Sequence, residues 1–344
     1  MSRSFDLGPP TESPGMLFLN SQFRSPVQWP PKDTRIDGKV AIITGSNSGL
    51  GFESARQLLA MGLSCLILAV RSADKGQKAA AKLGEQYPEA NIQVWLLDME
   101  SYESINTFAN RANAELSRLD IVILNAGVQL PYFTTNSHTK HENSIQVNYL
   151  STMLLAILML PILKAKRTGE QPGRLTIVSS GTARGSTLSE PAGTPILAAL
   201  DDSSRPWRPV ARYAVSKMLA HLFILELVQR VKVDDGVIVN LVDPGLVGST
   251  NLQGRAPGPV VAFFYLYKAI LARSLAVGGS TYVDAVVVKG AESHGCYIAN
   301  WKISSYAAFL YTPEGEAARK QLWEETMDEF DFVDARGILA ALTN

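Results

Sequence analysis

Tyr213 and Lys217 stand four residues apart in the run RYAVSK at 212–217. On a helix this spacing places both side chains on one face, about one turn apart. A phenol ordinarily ionises near pH ~10, too high for easy proton exchange at neutrality, and a neighbouring ammonium lowers that value. The pair has the makings of a proton-transfer device acting on an oxygen. A second constellation lies far upstream. Gly45, Ser46, Asn47, Ser48, Gly49, Leu50 and Gly51 follow the apolar run at 40–44 and precede a helical stretch. Glycines in such a turn let the backbone approach a pyrophosphate, and the helix start supplies unpaired N–H groups.

Further along, the end of the second apolar run selects the dinucleotide. An acid there would bind a ribose 2′-hydroxyl. The chain has instead Arg71, with Lys75 four residues on. A guanidinium can grip a 2′-phosphate through two hydrogen bonds, which predicts NADP(H) over NAD(H). Asp98 ends the third run, where its carboxylate can accept from an adenine amino group or a backbone N–H. Asn125, Ala126 and Gly127 end the fourth, where small residues let the chain pass close to an adenine ribose.

These residues need a scaffold that brings strand ends together. Strands are predicted at 40–44, 65–70, 93–97, 121–124, 175–179, 237–242 and 296–298. Helices are predicted at 52–61, 73–85 and 101–116, the last with Ile105, Phe108, Ala109, Ala112 and Leu116 at helical spacing. Alternating strands and helices imply an α/β fold, a Rossmann-type doubly wound parallel sheet of about seven strands. The expected layout is an extended, Pro-rich arm at 1–36 and a single domain at 37–344. Its substrate-side insertions are an elaborated loop at 181–212 and a lid at 252–275.

Composition narrows the partners. The 344 residues are 46% hydrophobic and carry 32 basic and 32 acidic side chains. Nucleic acid is not an expected partner for so balanced a chain. Cys65 and Cys296 both sit in apolar runs and read as buried thiols in a reducing compartment. His138, His141, His221 and His294 form no metal-ligand spacing, so capping or surface roles are expected and no metal. The apolar run at 149–163 contains Pro161 and reads as a buried helix, not a membrane span. With only a short apolar stretch at 16–19, no signal peptide is read and a cytoplasmic location is expected.

Taken in order, Thr44 with the glycines to Gly51, Asp98, Asn125 to Gly127, Asn148, Ser180, Tyr213 with Lys217, and Pro244 with Gly245 resemble the short-chain dehydrogenase/reductase family. The resemblance covers about residues 38–310. Arg71 with Lys75, and the run GCYIA at 295–299, look most like the NADP-dependent retinol-dehydrogenase-like branch and its fungal biosynthetic relatives. The resemblance implies that Tyr213 is the general acid in reduction and the base in oxidation. Lys217 would hold the nicotinamide ribose and lower the Tyr213 pKa, and Ser180 would bond the substrate oxygen. Asn148 would hold a water linking Lys217 to solvent. Residues 244–250 would wrap the nicotinamide, with Val247 on its carboxamide. Two departures stand out. Ser180 and Tyr213 are 33 residues apart, longer than the family usually shows. Ser249, then Thr250, occupy the place of the family's threonine, so that contact stays open between two hydroxyls.

The substrate end is expected to be enclosed by 128–133, 181–212 and 252–275, the last including the aromatic run at 263–267. A mostly apolar pocket points to a bulky, largely apolar carbonyl or alcohol, in secondary metabolism. A weak membrane-surface contact at 260–267 and a homodimer through the apolar helix that follows Tyr213 are further expectations. Two alternatives stand beside carbonyl reduction: a redox-neutral isomerase or dehydratase using Tyr213, and a non-catalytic NADP-binding scaffold. A scaffold would need only the glycine turn, so the full set Asn148, Ser180, Tyr213 and Lys217 argues against it.

Overall fold

The computed structural model describes residues 2–169, 171–188, 193–248 and 271–342. Its strands are β1 Val40–Thr44, β2 Cys65–Val70, β3 Asn91–Leu96, β4 Ile121–Leu124, β5 Gly173–Val178, β6 Val237–Asp243, β7 Tyr297–Ala299 and β8 Lys302–Ser304. They form one sheet in the order β3-β2-β1-β4-β5-β6-β7-β8. All neighbours are parallel except β7 and β8. The chain winds outward from β1 to β3, then returns to the other side of β1 at β4. Open α/β sheets leave a crevice at such a reversal, outside the carboxyl ends of the strands.

Apolar residues fill both faces of the central strands because helices cover both. Ile42, Ile67 and Val122 join one buried cluster with Phe108, Met153 and Leu219. Their neighbours Ile43, Leu68 and Ile123 point the other way, into a cluster with Leu58 and Tyr282. The apolar run ending in Pro161 belongs to helix Ser151–Lys166, whose length between Ser151 and Leu163 is almost wholly buried.

The sheet has one strand more than the sequence suggested. β8 is three residues long and turns back on β7 through Asn300 and Trp301, whose φ angles are 54° and 59°. A two-residue hairpin turn of this hand needs positive φ at both positions. Asparagine tolerates it, and Trp301 is held there by burial, with its indole N–H donating to Ser280 Oγ at 3.2 Å.

Residues 1–36 also differ from the extended arm expected. Helical turns form at Arg3–Asp6 and Pro14–Leu19, the second continuing as a π turn at Asn20–Arg24. Ser13 caps Pro14–Leu19 by accepting from the Met16 N–H, and Pro14 sits in the first turn, where its missing N–H costs nothing.

Helix Pro209–Arg230, apolar almost all round, is covered within the chain. Helix Pro313–Glu329 lies along it, with the Trp323 ring tilted against Phe223 at 5.0 Å between centres and Arg319 3.2 Å from Glu226. The apolar circumference that suggested a dimer face is therefore satisfied by the chain's own helix. In the 181–212 loop, a 3-10 turn runs over Gly181–Gly185 and a short helix over Ile196–Leu200. The first amides of that helix, Ile196 and Leu197, donate to the Glu325 carboxylate, each at 2.8 Å. Most of the expected lid, with 260–267 and the expected contacts of Ser249 and Thr250, lies outside the described residues.

Candidate active site

Across the reversal, Asn125 ties the two strand ends together. Its side-chain amide donates to the Thr44 carbonyl at 2.8 Å, and its backbone N–H donates to Thr44 Oγ1 at 2.9 Å. Gly51 sits under this bond: a Cβ there would lie 2.6 Å from Asn125 Nδ2 and 2.8 Å from the Gly45 carbonyl. Only glycine fits between the helix start and the strand end. Gly45 and Gly49 have φ of 64° and 59°, the left-handed region that glycine enters without strain. The turn then enters helix Gly49–Ala60, whose first residues Gly49 and Leu50 line the cavity.

A cavity of about 990 Å³ opens here. Ligand sites reach about 1,000 Å³ at the large end, so there is room for a dinucleotide and part of a second molecule. Gly45, Asn47, Ser48, Gly49 and Leu50 line it at the turn. Ser46 does not, because its hydroxyl turns inward to the Ile43 carbonyl at 2.8 Å. Arg71, Lys75 and Asp98 line one end, and Asn125, Ala126 and Gly127 line the middle. The Asp98 carboxylate accepts from the Glu100 backbone N–H at 3.0 Å. Arg71 Nη1 donates to Glu100 Oε1, also at 3.0 Å. Glu100 was not singled out in the sequence, although it stands two residues past Asp98.

Ser180, Tyr213, Lys217, Pro244, Gly245 and Val247 line the other end. Ser180 follows β5, where its hydroxyl accepts from the Thr182 N–H at 3.3 Å and from Thr182 Oγ1 at 3.0 Å. Lys217 is buried, and its Nζ donates to the Val178 carbonyl at 2.8 Å while lying 5.9 Å from the Tyr213 ring centre. Asn148 stands just behind, in a π turn at Gln146–Leu150. Its amide is engaged at both ends: Oδ1 accepts from the Val128 N–H, and Nδ2 donates to the Val128 carbonyl and to Ser216 Oγ. Gly127 leaves room for this, since a Cβ there would lie 3.1 Å from Asn148 Oδ1 and 3.5 Å from Lys217 Nζ.

The electrostatics differ from the sequence expectation at one point. Lys217 does not draw the Tyr213 phenol down. Burial pushes it up to about 12, Ser180 hydrogen bonding draws it back, and the Asp243 carboxylate pushes it further up. Burial pushes Lys217 itself down to about 8. Tyr213 is thus a protonated donor across neutral pH.

Three side chains at this end carried no role in the sequence reading. Asp243, the residue before Pro244, is buried; it accepts from Tyr297 OH at 3.0 Å and from the Gly245 N–H at 2.9 Å. Tyr282 OH donates to Asn125 Oδ1 at 3.0 Å. His221 continues the Tyr213 and Lys217 stripe one turn on and is fully buried, with Nε2 2.6 Å from Ser179 Oγ. Burial, then Arg184 and Lys217, hold it down to about 3, so it is neutral. His141 is not a simple surface residue either: it lies between Asp201 and Glu329.

Known proteins resemble this chain over most of its length. A short chain dehydrogenase family profile matches residues 39–192. The short chain dehydrogenase/reductase mfmJ of Annulohypoxylon moriforme is 49% identical over 325 residues, covering 94% of both chains. The short chain dehydrogenase virL of Hypocrea virens is 42% identical over 328 residues, covering 95% of both. Among solved structures, the NADPH-dependent 3-quinuclidinone reductase of Rhodotorula rubra superposes with a TM-score of 0.58 at 21% identity, over 84% of this chain and 99% of that one.

Proposed function

Because the chain belongs to the short-chain dehydrogenase/reductase family of oxidoreductases, we propose that it is an NADPH-dependent carbonyl reductase acting on a bulky, largely apolar small molecule. The observation that carries the reading is the convergence of Ser180, Tyr213 and Lys217 on the cavity that the Gly45 to Gly51 turn opens. NADP(H) suits the residues present: a glycine turn packed so closely that a Cβ at Gly51 would strike Asn125 and the Gly45 carbonyl, a helix start, and Arg71 with Lys75 at the far end. The NADPH-dependent reductase among the structural relatives is consistent with that choice. A role in secondary metabolism in a fungus follows the relatives' sources and is part of the same reading.

Bound NADPH supplies the hydride. The chain's part is to fix the carbonyl and to manage the proton. As negative charge builds on the substrate oxygen, the Ser180 hydroxyl donates a hydrogen bond to it and the Tyr213 hydroxyl donates its proton. Because Tyr213 is held up to about 12, it carries its proton at neutral pH, the protonation state that reduction requires. Lys217, held against the Val178 carbonyl, places a cation near the phenolate left behind. Asn148 fixes the 127–128 backbone and Ser216 next to Lys217, so its role is to position.

The test is NADPH consumption, followed by absorbance, against a panel of apolar ketones and aldehydes. Wild-type turnover that falls by about a thousandfold or more in Tyr213→Phe is the expected result. Turnover unchanged by that substitution would overturn the assignment of Tyr213.

A further inference from the structure

Residues 14–22 bear on the chemistry in a way that no motif announces. Pro14, Leu17, Phe18, Ser21 and Gln22 line the same cavity as Ser180 and Tyr213. They lie at the reactive end, not at the Arg71 end, for two reasons. A Cβ on Gly185 would lie 3.3 Å from Pro14, which places helix Pro14–Leu19 against the 3-10 turn that begins after Ser180. Gln22 is bonded to the turn after β6: Nε2 donates to the Leu246 carbonyl at 3.0 Å and Oε1 accepts from the Leu246 N–H at 3.1 Å.

The segment is fastened at both ends. Gln22 Nε2 also donates to the Leu271 carbonyl at 2.9 Å, and Ser21 Oγ donates to Asn300 Oδ1 at 2.7 Å. Arg273, buried, donates to the Ser21 and Pro244 carbonyls and to Asn300 Oδ1. At the other end Ser4 Oγ accepts from the Tyr297 N–H at 2.9 Å, and Phe5 stacks 4.8 Å from Tyr311. A loose tail makes no such set of bonds to β7 and to the turn after β6. The helix between the two anchors is held across the end of the cavity, with Leu17 and Phe18 half-buried on it.

We propose that residues 14–22 are a substrate-specificity element: Leu17 and Phe18 form an apolar wall that holds the substrate's hydrocarbon skeleton over Ser180 and Tyr213, and Gln22 locks this wall to the 244–247 turn. The inference rests on the carbonyl-reductase reading for its kinetics but not for its geometry. It assigns the ligand class at this wall as an uncharged ring or alkyl group, because the two side chains offer only carbon.

Two measurements test it. The first is steady-state kinetics with NADPH and phenyl ketones of growing size, from methyl phenyl ketone to naphthyl and tricyclic ketones, in wild type, Leu17→Ala, Phe18→Ala and the milder Phe18→Leu. The wall requires KM for the larger ketones to rise by about tenfold in Phe18→Ala, less in Phe18→Leu, with KM for NADPH within twofold. An unchanged KM ranking across the series in folded variants overturns it. The second measurement does not need turnover. In Leu17→Cys, maleimide labelling of the introduced thiol is read by peptide mass spectrometry, which separates it from Cys65 and Cys296. A naphthyl ketone added with NADPH should slow labelling at least severalfold beyond NADPH alone. Protection without turnover would leave the wall standing and remove the reductase reading. Turnover without protection would remove the wall and keep the reductase, and loss of both would remove both.

Discussion

Arg71 and Glu100 form an ion pair across the ends of β2 and β3, Nη1 to Oε1 at 3.0 Å, at the end of the cavity farthest from Tyr213. The side chains are 58% and 30% exposed. An ion pair this open is worth about 0–1 kcal/mol. A 2′-phosphate carries more charge than a carboxylate and offers several acceptors, so it can take the guanidinium from Glu100 at little cost. Arg71→Ala should weaken NADPH binding by about 10- to 100-fold and leave NADH nearly unchanged. Titration of both cofactors by fluorescence checks this, and equal losses for the two would contradict the assignment.

Glu100 supplies the complementary prediction. Its carboxylate sits where the 2′-phosphate is expected and repels it. Glu100→Gln should tighten NADPH by a few-fold, reduce the salt dependence of binding, and leave NADH unaffected. Weaker NADPH binding in this variant would show that Glu100 supports the Arg71 side chain more than it competes for it.

Asp243 adds to the burial that holds the Tyr213 phenol up. Its carboxylate lies at the Tyr213 end of the cavity and opposes formation of the phenolate. Asp243→Asn removes the charge and keeps one acceptor oxygen, so only one of the two bonds, from Tyr297 OH or from the Gly245 N–H, survives. Removing a negative charge that holds a phenol up lowers its pKa. The alkaline rise of kcat/KM for alcohol oxidation, which reports the free enzyme, should therefore move to lower pH in Asp243→Asn. A profile that does not move would show that burial alone holds Tyr213 up.

What was readable in the chain and what was not divides along physical lines. β1, β2 and β4 begin and end where the apolar runs do, because both faces of a parallel strand must be apolar. The Tyr213 and Lys217 pair was legible because helical spacing alone sets which side chains share a face. Gln22 was not, since its partner Leu246 is 224 residues away and no local pattern marks a glutamine for that contact. Asp243 stood beside the Pro244 and Gly245 motif, but the motif drew attention to the turn and not to the charge before it. His221 looked like one more polar residue in an apolar helix. Its neutrality follows from burial, to which Tyr297 and Tyr306 contribute with ring centres 4.9 and 5.3 Å away, and from the charges of Arg184 and Lys217. β8 was too short for periodicity to show.

Gly51 offers a test of the cradle. An added methyl would meet Asn125 Nδ2 at 2.6 Å and the Gly45 carbonyl at 2.8 Å. One of these is backbone, so the turn must shift and the Asn125 to Thr44 bond must lengthen. Gly51→Ala should lower stability by about 1–3 kcal/mol and weaken NADPH by at least tenfold, measured by thermal melting and fluorescence titration. A folded variant that binds NADPH as well as wild type would place the cofactor's phosphates elsewhere.

His141 lies far from this chemistry and makes stability depend on pH. Its Nδ1 is 2.7 Å from Asp201 and its Nε2 3.3 Å from Glu329, while Tyr102 OH donates to the same Glu329 oxygen at 3.0 Å. Burial alone would push the imidazole down, but the two carboxylates outweigh it and hold it up at about 9, from an ordinary value of 6.5. A histidine raised on folding binds its proton more tightly in the native state. Its contribution is therefore complete below about pH 6.5 and is lost as pH rises through about 9, on the order of 3 kcal/mol in all. Because helix Pro313–Glu329 ends at one of these carboxylates and Asp201 caps the short helix at Ile196–Leu200, deprotonation leaves two partly buried acids facing each other across a neutral ring. The melting temperature of the wild type should fall between those pH values. In His141→Gln it should be lower at pH 6.5 and nearly flat across the same window, and an equal slope in the two proteins would assign the pH dependence to other groups.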